Sequence, residues 1–147
     1  MIITTFNIRG LGGNPKYLSL KRFFTCNRPD LLCIQETMAS AEKACSYFLR
    51  IFPGWEVAAS DSYGSSGGVL CIWNPRVCDF KAYSTSAGIL LNGFFRGCDT
   101  KIKILNVYGP YKDREMFWDR LVGSGLLNDP ALLLLGDLNF TISPLEI

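Results

Sequence analysis

The run Leu132–Leu135, followed at once by Gly136, Asp137 and Asn139, constrains this chain more than any other stretch. Four leucines after Pro130 are too short a run for a helix and are bounded by turn residues, so they read as a buried strand. Gly136 lets the backbone turn, and a carboxylate and an amide then emerge at the strand's end. Such a carboxylate can bind a hard cation or orient a water, and the amide can donate to a phosphoryl oxygen. The same pattern recurs upstream: MIITTF runs into Asn7, DLLCIQ into Glu36, and KIKILNV into Tyr108. Each signal alone is weak. Asp and Asn are ordinary turn formers after a strand, Glu36 fits a loop start or a helix's first turn, and Tyr108 before Gly109 and Pro110 fits a plain strand exit. Four strands that each deliver a polar group at one end predict one shared mouth, and hence an active site.

The periodicities fill in the rest. A strand is predicted over 2–7, a helix over 15–26 with Leu20, Phe23 and Phe24 inward, and a second strand over 31–35. Ser40 can cap the next helix, where Ala41, Ala44, Cys45, Phe48 and Leu49 form an apolar stripe. That stripe reads as core rather than as a cofactor box. Strands follow near 55–59, 67–73, 77–84, 88–97 and 102–108, the middle ones joined by short turns. Asp113 can cap a helix over 114–122 that buries Phe117 and Leu121, and the last strand covers 132–136. Helices alternate with strands at both ends around an antiparallel middle. This predicts an α/β sandwich of two packed sheets flanked by helices.

Composition excludes several classes. At 147 residues, 48% hydrophobic and 19% charged, the chain can bury one core and is too apolar to be disordered. It shows no linker or repeat, and its longest Gly/Ser stretch, Gly64–Gly68, is a loop-sized lead into a strand. No window approaches the roughly 18 apolar residues of a membrane span, and no signal segment opens the chain. The expected location is therefore nucleus or cytosol. Cys26, Cys33, Cys45, Cys71, Cys78 and Cys98 form neither a CxxC pair nor a zinc spacing and read as small core hydrophobes. Net charge is +2, which neither demands nor forbids a nucleic-acid partner. Lys16, Lys21, Arg22 and Arg28 cluster near the first helix, where a solvated face explains them, and Lys101 and Lys103 mark the wet face of a strand. Arg9 lies two residues after Asn7, at the predicted mouth. Either a bidentate phosphate contact or simple exposure accounts for it.

Taken in order, NIRGLG (7–12), IQET (34–37), SSGGVLCIW (65–73), NVYGP (106–110) and LLGDLN (134–139) resemble the endonuclease/exonuclease/phosphatase superfamily. NIRGL before a helix and PDLLCIQET, with a Ser-Gly-Gly strand ending in Trp73, is most similar to the endonuclease domain of plant LINE-type (non-LTR) retrotransposons. Arg in place of a carboxylate at position 9 is typical of that branch. The resemblance runs from Ile2 to about Ile142 and implies the same two-sheet fold.

By resemblance, Glu36 is the principal ligand of Mg²⁺ (or Mn²⁺), and Asn7 positions the metal or Glu36 and the phosphate. Tyr108 donates to the scissile phosphate, Asp137 orients or deprotonates the attacking water, and Asn139 holds a non-bridging oxygen. The implied partner is target DNA, with no membrane and no small-molecule cofactor. Family members continue beyond the Gly-Asp-x-Asn motif to a closing Asp-His pair. This sequence ends at Ile147 and contains 0 His, and Thr141 replaces an acidic residue common in the plant branch. Residues 1–147 are thus expected to form a single partial domain, incomplete at its C-terminus. It would be an impaired endonuclease, active only if the missing segment comes from another chain or exon. The alternatives are a non-enzymatic remnant with residual metal or DNA binding, and a small-substrate phosphatase of the same superfamily.

Overall fold

The computed structural model describes residues 1–63 and 66–139. The elements run β1 (Ile3–Asn7), α1 (Asn14–Asn27), β2 (Leu31–Gln35), α2 (Ala41–Ile51), β3 (Glu56–Tyr63), β4 (Ser66–Trp73), β5 (Cys78–Thr85), β6 (Gly88–Phe95), β7 (Ile102–Tyr108), α3 (Arg114–Gly123) and β8 (Leu132–Asp137). They form two mixed four-stranded sheets flanked by helices, ordered β1-β2-β4-β3 and β5-β6-β7-β8. Each sheet holds one parallel pair. In β1–β2, Asn7 lies opposite Gln35; in β7–β8, Tyr108 lies opposite Asp137. Parallel neighbours need a crossover, supplied by α1 in the first sheet and α3 in the second. All four of these strands therefore present C-terminal ends, where the polar residues sit.

Alternation sorts the core into three layers. Along β2, Leu31 and Cys33 face the second sheet with Cys71, Phe80, Leu91 and Ile104. Leu32 and Ile34 face α1 and α2 with Phe24, Phe48 and Ile72. Leu105 and Val107 of β7 turn outward under Leu121 of α3. A central strand covered on both faces is apolar at nearly every position, as LLCI is.

Several local expectations change. The four leucines of β8 are half-buried, because β8 is the last strand of its sheet among the described residues. The chain does not turn at Gly136, which stays in β8 opposite Val107 with φ +131°. A Cβ there would come within 1.9 Å of the Val107 carbonyl oxygen, so glycine is required for close strand approach. In α2 the buried side is Ala44, Tyr47, Phe48 and Ile51, with Cys45 and Leu49 half-buried. Tyr47 can face inward because its hydroxyl donates to the Leu11 carbonyl (3.0 Å). Ser40 caps this helix, accepting from the Lys43 N–H (3.4 Å). Asp113 occupies the equivalent position before α3 but makes no side-chain cap, its φ of +54° departing from the extended backbone a capping side chain needs.

Phe24 is buried, whereas Phe23 is exposed over the β1 edge against Phe6 (5.5 Å). Cys26 and Cys98 are exposed rather than core. Lys16 is no bystander on a wet face, since its ammonium donates to the carbonyls of Ile8 and Arg9. Gly67 and Gly68 already belong to β4, while Gly64, Ser65 and Thr141 lie outside the described residues. No helix among the described residues is long and apolar enough to cross a membrane.

Candidate active site

Asn7 ends β1 between two carboxylates. Its side-chain Nδ2 donates to Glu36 Oε1 (3.0 Å) and to Asp137 Oδ2 (2.8 Å). Its Oδ1 accepts the backbone N–H of Arg9 (3.1 Å). The reverse amide orientation would set Oδ1 against two anions, so electrostatics fixes which end points where. One neutral residue thereby holds together two like charges contributed by different sheets.

Glu36 directly follows β2 and is buried, with φ +54°. The Tyr108 hydroxyl donates to its Oε1 (2.9 Å), so both hydrogen bonds converge on one oxygen. Among the described residues Oε2 accepts none. Burial first, then the hydrogen bond to Glu36 and its charge, push the Tyr108 hydroxyl well above the ordinary tyrosine range. Tyr108 is thus a neutral donor at any physiological pH.

Asp137 uses Oδ1 to accept the backbone N–H of Asn139 (3.0 Å), a tight turn that follows β8 directly. The Asn139 side chain donates to the Gly109 carbonyl and also lies within hydrogen-bonding reach of the Tyr108 hydroxyl. It ties the end of β8 to the end of β7. A cleft of about 410 Å³ opens beside Asn7, Gln35, Asp137 and Asn139. The Arg9 side chain is exposed and makes no hydrogen bond or ion pair among the described residues. The structure thus brings Asn7, Glu36, Tyr108, Asp137 and Asn139 together and leaves Arg9 on the rim.

Backbone strain gathers at the same place. Six described non-glycine residues have positive φ, and four of them, Arg9, Glu36, Met38 and Asn139, belong to the loops of this mouth. Such conformations persist only where the surroundings dictate them, which is common at working sites.

Beneath the mouth lie two residues that the sequence pattern does not single out. Gln35 and Asn106 are buried between the sheets. Gln35 Nε2 donates to Asn106 Oδ1 (2.7 Å), and also faces Thr5 Oγ1 and the Cys33 carbonyl (both 3.0 Å). Asn106 Nδ2 reaches the carbonyls of Ile34 (3.2 Å) and Leu70 (3.0 Å). Their signal was a polar side chain on the inward face of an apolar strand, one residue before Glu36 and two before Tyr108.

The sequence profile of the Endonuclease/Exonuclease/phosphatase family matches residues 4–146. The chain belongs to this family. Its fold is similar to that of an AP endonuclease from Archaeoglobus fulgidus, at 22% identity and TM-score 0.71, covering 100% of this chain and 61% of that one. It is also similar to a 3′ phosphatase from Neisseria bound to product DNA hairpin, at 22% identity and TM-score 0.65, over 97% and 59% of the two chains. A third similar structure is the endonuclease domain of TRAS1, a telomere-specific non-LTR retrotransposon. It shows 14% identity and TM-score 0.67, over 95% and 61%. The chain therefore spans about three-fifths of the length of these structures. No curated protein matches significantly.

Nucleases of this family generally depend on a divalent metal. The donors here suit a hard, largely hydrated ion: one buried carboxylate with a free oxygen, and a second carboxylate tethered to it. Among the described residues there is no cluster of three or more acidic, His or Cys groups, so protein ligands alone make a sparse cage.

Proposed function

We propose that this chain is a partial Mg²⁺-dependent DNA endonuclease domain of the LINE retrotransposon type, a phosphodiester hydrolase. The observation that carries the reading is the Asn7 amide bridging Glu36 and Asp137, with Tyr108 on the same Glu36 oxygen. Glu36 would hold Mg²⁺ or Mn²⁺ through Oε2, and the bound ion would supply charge for the phosphate oxygens. Tyr108, kept protonated, turns its hydroxyl from Glu36 to the incoming phosphate. Asp137, oriented by Asn7 and by the Asn139 N–H, holds a water for in-line attack. Asn139 offers its amide to a non-bridging oxygen on release from Gly109, and Arg9 reaches outward for a neighbouring phosphate.

A DNA-bound 3′ phosphatase and a retrotransposon endonuclease among the similar folds support DNA as substrate. Six free thiols support a reducing compartment, nucleus or cytosol.

The 147 residues contain 0 His, so these residues supply no imidazole to the phosphate. Acid–base groups of that kind contribute about 10²–10⁴-fold, and the rate of these residues alone should fall short by that order. A single-turnover assay on supercoiled plasmid with Mg²⁺ or Mn²⁺ tests this. Slow nicking that disappears in Asp137→Asn and Glu36→Gln is the expected result. Nicking that survives both changes would count against the assignment. Metal or DNA binding with no cleavage under any condition favours the second reading, a non-enzymatic remnant, for which the absence of histidine is the motivating observation. A small-substrate phosphatase is disfavoured by the open mouth and the outward Arg9.

A further inference from the structure

Tyr111 stands on the loop between β7 and α3 with 62% of its surface exposed, among the highest values for a large apolar side chain here. Single exposed aromatics are common and need no explanation. This one is held in place. Its ring meets the Tyr108 ring edge-on, with centroids 6.4 Å apart and planes at 76°. The Arg114 guanidinium donates to its carbonyl (3.3 Å), closing the loop onto the start of α3. Two residues after Glu36, Met38 is also exposed, its backbone N–H donating to the Gly67 carbonyl (3.2 Å). A Cβ at Gly67 would come to 4.0 Å from the Tyr108 ring. An exposed aromatic ring therefore stands directly against Tyr108, whose hydroxyl holds Glu36.

A free phosphate or a phosphorylated sugar would leave that ring uncovered. A ligand that couples an anionic phosphate to a flat apolar surface would cover it, and a nucleotide within a DNA strand is that combination. We infer that Tyr111 is a stacking platform for the nucleobase adjacent to the scissile phosphate. The inference rests on the nuclease reading and deepens it. Tyr111 is a positioning residue: it orders the strand and leaves the reacting atoms to Glu36, Tyr108 and Asp137. Stacking on an aromatic ring tolerates any base, so it serves register rather than sequence choice.

The test is fluorescence anisotropy in low-salt buffer with EDTA, where cleavage is silent. The probes are a labelled oligothymidylate of twelve nucleotides and the same strand with abasic spacers. Wild type should bind the base-bearing strand more tightly. Tyr111→Ala should lose about 5- to 150-fold on that strand alone, the range expected for one stacked base, and Tyr111→Trp should recover it. Loss of equal size on both strands, or no loss on either, overturns the platform while leaving DNA binding, and so the nuclease reading, intact. Wild type that binds neither strand overturns both together.

Discussion

Asn7 shows how one side chain can organise a site: an amide donates two hydrogens in a fixed plane, and here each meets a carboxylate. Gln35 and Asn106 do the corresponding work one layer below, both buried between the sheets. A buried amide stripped of its partner costs about 1–3 kcal/mol, whereas removing both partners is far milder. Asn106→Leu should therefore lower the urea midpoint markedly, because it takes the Asn106 Oδ1 acceptor from Gln35 and the Asn106 amide from the Ile34 and Leu70 carbonyls. The double change Gln35→Leu with Asn106→Leu should be no less stable than Asn106→Leu alone. Additive losses in urea unfolding would mean that the two amides are independent and that the clasp between the sheets is not a unit.

At the scale of elements, type and order were legible because periodicity carries them. The apolar run of β2, the alternation of β5 and the cap of α2 each state a local preference that the fold keeps. What was not legible depends on neighbours. The inward arc of α2 moves to Tyr47 because a backbone carbonyl at Leu11 satisfies its hydroxyl. The leucines of β8 look like a central strand and lie, among the described residues, in the last strand of their sheet, since nothing in LLLL tells its place in a sheet. Gly136 looks like a turn and is instead a place where β7 and β8 approach too closely for a Cβ. The candidate site residues stood out as polar ends of apolar strands. Gln35, Asn106 and Lys16 did not, because their partners are remote in sequence or belong to backbone that a pattern does not show.

At the scale of the molecule, several protons are held more tightly in the fold than in the open chain. Burial first, then the charge of Asp30, pushes the Cys78 thiol up to about 12. Cys33 is raised too, first by its hydrogen bond with Cys71 and then by burial, and Tyr108 by burial and Glu36. Above pH 9 the unfolded chain gives up its thiol protons while the fold keeps them. The unfolded state then binds fewer protons, and stability must fall as pH rises. For Cys78 the loss runs between pH 9 and 12, so Cys78→Ala should show a shallower fall there, though it is less stable at neutral pH. Parallel slopes for the two proteins in denaturant titrations would exclude Cys78 as a source. The central claim is that four strand ends from two sheets make one metal-dependent phosphate site with Glu36 at its centre. Calorimetric titration of Mg²⁺ and Mn²⁺ into wild type and Glu36→Gln tests it most directly. Weak saturable binding in wild type, lost in Glu36→Gln, is the predicted result; equal affinity in both proteins would contradict the account.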